Sequence, residues 1–233
     1  MSLPPMRGIG DDIEESLSRR AGPPDRMSTG TTTIGIVGKE GVVLATEKRA
    51  TMGSFIANKN TIKLFRIDQN LGATFAGSVG DAQFVVRYLQ AEVALYRMRR
   101  SAPVRVESAA TLTASFLNAN RYYPYFAWMI VGGVDATGGH VFALDAGGGS
   151  IEDRYVSIGS GSPFVYGVLE DSLKDTPLVS EAVDLCLRGL TASMRRDSAS
   201  GDGYAVAQIT DDGYRELTPD EVQKRLTRLK ISK

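Results

Sequence analysis

Short apolar runs separated by polar turns alternate along this chain with longer segments in which apolar residues recur every three or four positions. The short runs predict β-strands. They form two groups and a last short run: TTTIGIVG, GVVLATEKR, TIKLFRI and LGATFAG; FAWMIVGGV, HVFALDA, SIEDRYVSI and YAVAQIT; and GYRELT. Lys39-Glu40-Gly41, between the first two runs, is typical of a hairpin turn.

Helical patterns lie between and after the strand groups. They cover residues 81–100, residues 107–121, a segment near 163–173 with Ser162-Pro163 as its start, a segment opening at Ser180, and a last helix after the capping box Thr218-Pro219-Asp220-Glu221. Two helices after each strand group predict two stacked, mainly antiparallel sheets between helix pairs. The predicted fold class is therefore α+β, a four-layer αββα sandwich.

Composition narrows the classes of function. The 233 residues carry 27 Lys and Arg against 27 Asp and Glu, so no bulk charge attracts nucleic acid. No stretch approaches the roughly 18 apolar residues of a membrane span, and the first residues lack a signal-peptide pattern, which predicts a soluble cytoplasmic protein. Residues 1–30 hold four of the nine prolines and few large apolar residues, so they read as a mobile leader.

Cysteine and histidine are too scarce for several chemistries. Cys186 is the single cysteine, which excludes internal disulfides and Cys-cluster metal sites, and its helical pattern favours a core position. His140 is the single histidine and favours a packing role in a strand, because no nucleophile motif accompanies it. We therefore expect neither metal nor cofactor. The run DAGGGS, between two strands, predicts a tight hairpin rather than a phosphate-binding loop.

The junction Gly30-Thr31 is where the leader meets the first strand. If this bond is cut, Thr31 carries both a nucleophilic hydroxyl and a free α-amine, which titrates near pH 7.7–8.0 and could accept the hydroxyl proton without a histidine. The alternative is that three successive threonines simply open a strand, because β-branched residues favour extended structure.

Three further residues could assist such a nucleophile. Glu47 and Lys63 each lie at the end or the start of an apolar run, and neighbouring strands could bring both beside Thr31, although spacing alone favours the alternative that they are solvent-exposed strand ends. Gly77 precedes a predicted helix and could present an amide to an oxyanion, or form an ordinary turn capped by Ser78 and Asp81.

The polar residues Ser160, Asp197 and Ser200 follow apolar segments, and sequence alone links none of them to Thr31.

Seven segments in order resemble the β subunits of archaeal-type proteasomes, which are N-terminal-nucleophile hydrolases: GTTTIGI, ATEKRATM, NTIKLF, FAGSVGDAQ, VGGVD, GSGSPFVYGVLE and RRDSASGDG. The resemblance implies a propeptide over residues 1–30 and a catalytic domain over 31–233. It implies that Thr31 is the nucleophile, Gly30 the last propeptide residue and Lys63 the active-site lysine, with Glu47 at an acidic position. Gly77 would bind the oxyanion.

The resemblance also assigns the surroundings of the nucleophile. Ser160, Asp197 and Ser200 would form the polar network at its amine, and Thr51 would pair with substrate backbone. Ala50, Phe75 and Val79 would line an apolar pocket, which implies cleavage after hydrophobic residues. The implied partners are α subunits and other β subunits in stacked heptameric rings (α7β7β7α7), a regulatory ATPase, and unfolded protein substrates. A different threonine amidohydrolase and a non-catalytic ring subunit that keeps its leader remain alternatives.

Overall fold

The described part of the chain, residues 30–173 and 175–231 of a computed structural model, contains twelve strands and five helices. The strands are β1 Thr33–Gly38, β2 Gly41–Glu47, β3 Ala50–Met52, β4 Phe55–Asn58, β5 Leu64–Asp68, β6 Leu71–Gly77, β7 Ala127–Asp135, β8 Gly138–Leu144, β9 Ser150–Glu152, β10 Tyr155–Ile158, β11 Tyr204–Thr210 and β12 Gly213–Glu216. The helices are α1 Val79–Arg100, α2 Val106–Ala119, α3 Ser162–Ser172, α4 Val179–Met194 and α5 Pro219–Arg228. The predicted leader lies outside the described residues except for Gly30.

Two five-stranded antiparallel sheets form the centre of the fold. Their strand orders are β10-β1-β2-β11-β12 and β5-β6-β7-β8-β9, and β3 and β4 form a separate hairpin. One core lies between α1, α2 and the second sheet, another lies between α3, α4, α5 and the first sheet, and a third lies between the two sheets. These three cores separate four layers and confirm the predicted αββα sandwich.

Strand β2 shows why its sequence is apolar throughout. Val43 and Ala45 pack towards the helices of their own sheet, whereas Val42 and Leu44 pack towards the other sheet. Alternate residues of a strand point to opposite faces, so a strand covered on both sides needs a continuous apolar run. The sheets also approach closely: a Cβ at Gly35 would lie 2.7 Å from a Val141 methyl carbon.

Several predicted boundaries were wrong. The run SIEDRYVSI forms two strands, because the chain leaves the second sheet after Glu152 and joins the first at Tyr155. The hairpin β3–β4 was missed, since its strands have only three and four residues. Gly161 rather than Ser162 precedes α3, and Leu178 rather than Ser180 precedes α4, where the Glu181 carboxylate accepts from the Leu178 amide at 2.8 Å.

The lone cysteine and histidine have structural positions. Cys186 is fully buried among the helices that cover the first sheet, and burial raises the pKa of its thiol. His140 does more than pack: its Nδ1 lies 2.6 Å from Glu152 and its Nε2 lies 2.8 Å from the Thr137 hydroxyl. The histidine therefore connects β8 to β9 and to the turn before β8. Its ring can make these polar contacts because it lies at a partly exposed position of the strand.

The capping box of α5 predicts an acid-sensitive helix end. The amide of Thr218 donates to Glu221 at 2.8 Å, Arg215 pairs with the same carboxylate, and together they lower the pKa of Glu221 to about 2. Because the folded pKa lies below the ordinary value of 4.5, this stabilisation is present above pH 4.5 and is lost as the pH falls towards 2. Glu221→Gln should flatten the pH dependence of unfolding in that window, measured by urea denaturation; an unchanged slope would contradict the assignment.

Candidate active site

The first sheet brings Thr31 and Glu47 together. Strands β1 and β2 pair with Thr33 opposite Thr46, and the amide of Glu47 donates to the Thr32 carbonyl at 3.3 Å. Lys63 immediately precedes β5, the edge strand of the second sheet. The site therefore forms where the ends of both sheets meet, and Thr31, Glu47 and Lys63 are all buried.

The hydroxyl of Thr31 lies between a cation and the carbonyl of the preceding residue. Lys63 Nζ donates to Thr31 Oγ1 at 2.9 Å, and Thr31 Oγ1 donates to the Gly30 carbonyl at 2.7 Å. A lysine ammonium at hydrogen-bond distance favours a developing negative charge on the hydroxyl oxygen. The oxygen thus adjoins both a group that can activate it and a peptide carbonyl.

Lys63 and Glu47 form a buried ion pair with every polar position occupied. The ammonium has three protons, and it donates to Thr31, to Glu47 Oε1 and to the Arg49 carbonyl. Glu47 Oε1 also accepts from the Thr32 amide at 3.3 Å, and Oε2 accepts from the Arg49 and Gly201 amides at 2.6 and 3.0 Å. Such full satisfaction is what keeps a buried charge pair from destabilising a fold.

Burial and pairing act in opposite directions on these two groups. Burial raises the pKa of the Glu47 carboxyl, and the charge of Lys63 opposes that rise. Burial likewise lowers the pKa of the Lys63 ammonium, against the opposing charge of Glu47. Perturbed pKa values of this kind mark sites where a group is held ready for proton transfer or charge stabilisation.

A second set of polar groups surrounds the backbone nitrogen of Thr31. That nitrogen donates to Ser160 Oγ at 3.2 Å, and Ser160 Oγ in turn donates to Asp197 Oδ2 at 2.6 Å. Ser200 Oγ donates to the same Asp197 oxygen at 2.6 Å. The structure therefore brings Ser160, Asp197 and Ser200 to Thr31, although sequence proximity linked none of them.

Sequence reasoning missed a hydroxyl cluster behind this network. The Thr32 hydroxyl lies 2.5 Å from Ser193 Oγ and 2.7 Å from Ser200 Oγ. A Cβ at Gly161 would lie 2.0 Å from the Thr32 hydroxyl oxygen and 1.9 Å from Ser193 Oγ, so a side chain at 161 would displace the cluster. The only signal was the polar, Gly-rich sequence around Ser160, which does not reveal its distant partners.

Arg49 is another supporting residue that the sequence did not single out. Its guanidinium pairs with Asp202 at 2.7 Å and donates to the Ser198 carbonyl at 2.8 Å, while its own carbonyl accepts from Lys63. These contacts fix the loop after α4, which carries Asp197 and Ser200, against the end of β2. Arg49 contacts Lys63 through its backbone carbonyl, which every residue type has, so the sequence contains no pattern that indicates this contact.

The residue before Thr31 is tightly enclosed. The Gly30 amide donates to the Thr51 hydroxyl at 3.1 Å. A Cβ at Gly30 would lie 1.8 Å from the Ala199 Cβ and 2.9 Å from Ser160 Oγ. Gly159 is similarly constrained, because its φ is +99° and a Cβ there would lie 2.0 Å from the Thr31 carbonyl oxygen. Only glycine fits either position without displacing neighbours.

The residues predicted to bind an oxyanion and to line a pocket lie in β3, in β6 and at the start of α1. Gly77 ends β6 with φ +118°, and the preceding Ala76 contacts the Gly159 position that adjoins Thr31. The Ser78 hydroxyl accepts from the Asp81 amide at 3.4 Å, so the predicted cap of α1 is also present.

The remaining residues predicted from the resemblance take these positions: Ala50 is half-buried in β3, Phe75 is fully buried in β6, and Val79 is half-buried at the start of α1. Their role as a specificity pocket stays a prediction.

The four-layer αββα sandwich is the fold of N-terminal-nucleophile hydrolases. Residues 27–209 match the family described as "Proteasome subunit". The chain is 51% identical over 201 residues to a proteasome subunit beta of Methanothermobacter thermautotrophicus, covering 86% of this chain and 96% of that protein. It is 51% identical over 204 residues to a proteasome subunit beta of Thermoplasma acidophilum, covering 87% and 96%. The chain belongs to the proteasome subunit family, and its relatives are of the beta type.

Among the helices described here, none combines the length and the apolar character that crossing a bilayer requires.

Proposed function

We propose that the chain is a threonine-type endopeptidase, the catalytic β subunit of a proteasome core particle, and that it activates itself by cutting Gly30-Thr31. One observation carries the proposal: the Thr31 hydroxyl lies between Lys63 Nζ, at 2.9 Å, and the Gly30 carbonyl oxygen, at 2.7 Å. The nucleophile, the cation and a scissile peptide group are thus neighbours in the uncut chain.

Self-cleavage begins when Thr31 Oγ attacks the Gly30 carbonyl carbon. A carbon–oxygen bond forms, the Gly30–Thr31 carbon–nitrogen bond breaks, and the hydroxyl proton passes to the departing nitrogen, which becomes the free amine of Thr31. Water then hydrolyses the resulting ester, so that Gly30 leaves as a carboxylate and the hydroxyl is restored. The products are residues 1–30 and a chain of residues 31–233.

Cleavage of a substrate repeats this chemistry with the new amine as the base. An α-amine with a pKa near 7.7–8.0 is substantially neutral at physiological pH and accepts the Thr31 hydroxyl proton, through a water, as the oxygen attacks a substrate carbonyl. Ser160 and Asp197 orient the amine, and Lys63 stabilises the negative charge on the attacking oxygen. The Gly77 amide stabilises the oxyanion, and water hydrolyses the acyl-enzyme.

The proposal includes the assembly in which the reaction takes place. The chain joins other β subunits and α subunits in stacked heptameric rings (α7β7β7α7) in the cytoplasm, and a regulatory ATPase delivers unfolded proteins through the α ring. An apolar pocket formed with Ala50, Phe75 and Val79 favours hydrophobic residues before the scissile bond. The family match and the similarity to proteasome beta subunits support the subunit class.

The enclosure of Gly30 provides a test of self-cleavage. Intact-mass measurement of the assembled wild-type chain should show the loss of residues 1–30. Gly30→Ala should slow that loss by about 100-fold, the order of effect of a 1 Å misplacement in an active site, because its Cβ would overlap the Ala199 Cβ at 1.8 Å. Adding Ala199→Gly should restore most of the rate, since it removes the overlapping atom.

The single variant Ala199→Gly is the matched control and should lose its leader as fast as the wild type. Retention of the leader by the assembled wild-type chain would refute the catalytic proposal and support a non-catalytic ring subunit. Equal processing of Gly30→Ala and wild type would contradict the reaction geometry.

A further inference from the structure

A cleft of about 720 Å³ lies beside the end of β2, away from the Thr31 hydroxyl, between the loop after β4 and helices α4 and α5. Its charged wall contains Lys48, Lys59 and Arg195 and one acid, Asp202. Its apolar lining consists of Met194, Tyr204, Pro219, Val222 and Leu226. The cleft thus combines an apolar floor with a positively charged rim.

The positive charges of this rim outnumber the negative charge of its own wall. Asp202 is engaged by Arg49 at 2.7 Å, on the side that faces the candidate active site. Within the described residues, no carboxylate forms an ion pair with Lys48, Lys59 or Arg195. Three cations around an apolar floor fit an extended ligand that carries both carboxylates and large apolar side chains.

The leader of the same chain contains such a segment. Residues 11–17 read DDIEESL, with four carboxylates and two large apolar side chains, Ile13 and Leu17, and no basic residue. The charge and the apolar content of this segment both complement the cleft.

The point at which the leader joins the described chain is close to the cleft. The Gly30 amide is bound to the Thr51 hydroxyl, and Thr51 follows Lys48 by three residues, a span of at most about 10 Å. The amide of Thr61 donates to the Lys48 carbonyl at 2.9 Å, which holds the segment with Lys59 against the same wall. Residues 18–29 connect the acidic segment to Gly30 and reach at most about 40 Å when extended. The cleft lies well within that reach.

We propose that residues 11–17 dock in this cleft of their own chain before the leader is removed. The four carboxylates face Lys48, Lys59 and Arg195, and Ile13 and Leu17 cover the apolar floor. The proposal rests on the proposed function in one respect, that the leader is present only until Gly30-Thr31 is cut; docking itself involves no chemistry. In the uncut chain, the contact with Thr51 fixes Gly30 on the side of the folded domain, and the docked segment restrains the leader that precedes it. After cleavage, the leader can leave and the cleft becomes free.

Hydrogen exchange of the full chain, read by mass spectrometry, tests the docking. The background is Thr31→Ala, in which the leader remains attached. Amides 11–17 should exchange at least about tenfold more slowly than an unstructured segment, and about 1 M salt, where the screening length is near 3 Å, should reduce this protection. Lys59→Glu with Arg195→Glu should abolish it, and adding Glu14→Lys with Glu15→Lys should restore it.

Controls keep the result interpretable. Lys59 and Arg195 are exposed, so their reversal should leave exchange of the core strands unchanged, and Lys39→Glu, in the exposed β1–β2 turn, should leave leader protection intact. Unprotected amides 11–17, or a charge swap that fails to restore protection, would overturn the proposal. So would concentration-dependent protection of the cleft without protection of the leader, because a second chain would then be the occupant. The wild-type mass measurement is independent: a retained leader refutes self-cleavage and leaves the exchange result standing.

Discussion

Thr31→Ala is expected to leave residues 1–30 attached and to lower peptide hydrolysis by more than about 1,000-fold, the scale seen when a nucleophile is removed. The alanine has no oxygen to attack either the Gly30 carbonyl or a substrate carbonyl, and the retained leader also blocks formation of the amine. Intact mass measures the first effect, and hydrolysis of a fluorogenic peptide by the assembled particle measures the second.

The fold should tolerate this change. Thr31→Ala removes one of the three acceptors of Lys63 and the donor to the Gly30 carbonyl, but Lys63 keeps Glu47 and the Arg49 carbonyl, so the free energy of unfolding should fall by about 1–3 kcal/mol. Thr33→Val is the matched control two residues away: among the described residues the Thr33 hydroxyl is buried without a hydrogen-bond partner, so its removal costs no contact. Thr33→Val should be processed and active. Normal processing and turnover in Thr31→Ala would exclude Thr31 as the nucleophile.

The layer order of the fold was predictable because local patterns agree with tertiary packing. Strand β2 is apolar throughout because both of its faces are covered, and α5 begins where its capping box predicts. The errors occur where tertiary contacts decide. Nothing in SIEDRYVSI indicates that its two halves join different sheets, and α4 is capped by the Glu181 side chain reaching back to Leu178 rather than by Ser180.

The site was predictable only in part, for the same reason. Thr31 is conspicuous because it adjoins a change in composition, but the residues that serve its nitrogen lie 129 or more positions away in the sequence. The resemblance supplied Ser160, Asp197 and Ser200, and the structure brings them together. Residues that act through backbone or through shape, such as Arg49 and Gly161, carry no motif, and three-dimensional contacts alone identify them.

The buried pair of Lys63 and Glu47 allows stability and catalysis to be separated. Lys63→Met leaves Glu47 buried without its counter-ion and should lower the free energy of unfolding by about 3–5 kcal/mol. Glu47→Gln should destabilise for the converse reason. The double variant Lys63→Met with Glu47→Gln removes both charges and keeps an amide oxygen for the Arg49 and Gly201 amides, so it should recover at least about 1 kcal/mol over Lys63→Met.

Recovered stability should not bring recovered activity. The double variant has no ammonium to stabilise the charge that develops on Thr31 Oγ1, so processing and peptide hydrolysis should both remain at least about 100-fold below wild type. Urea denaturation of the unassembled chains measures stability, and intact mass and peptide hydrolysis measure function. The double variant keeps the wild-type net charge, and Lys39→Met, which removes a lysine from an exposed turn, controls for the charge change of Lys63→Met alone. If the double variant cuts its own leader and hydrolyses peptides, then Lys63 only stabilises the fold, and the activation of Thr31 must come from its surroundings at Ser160 and Asp197.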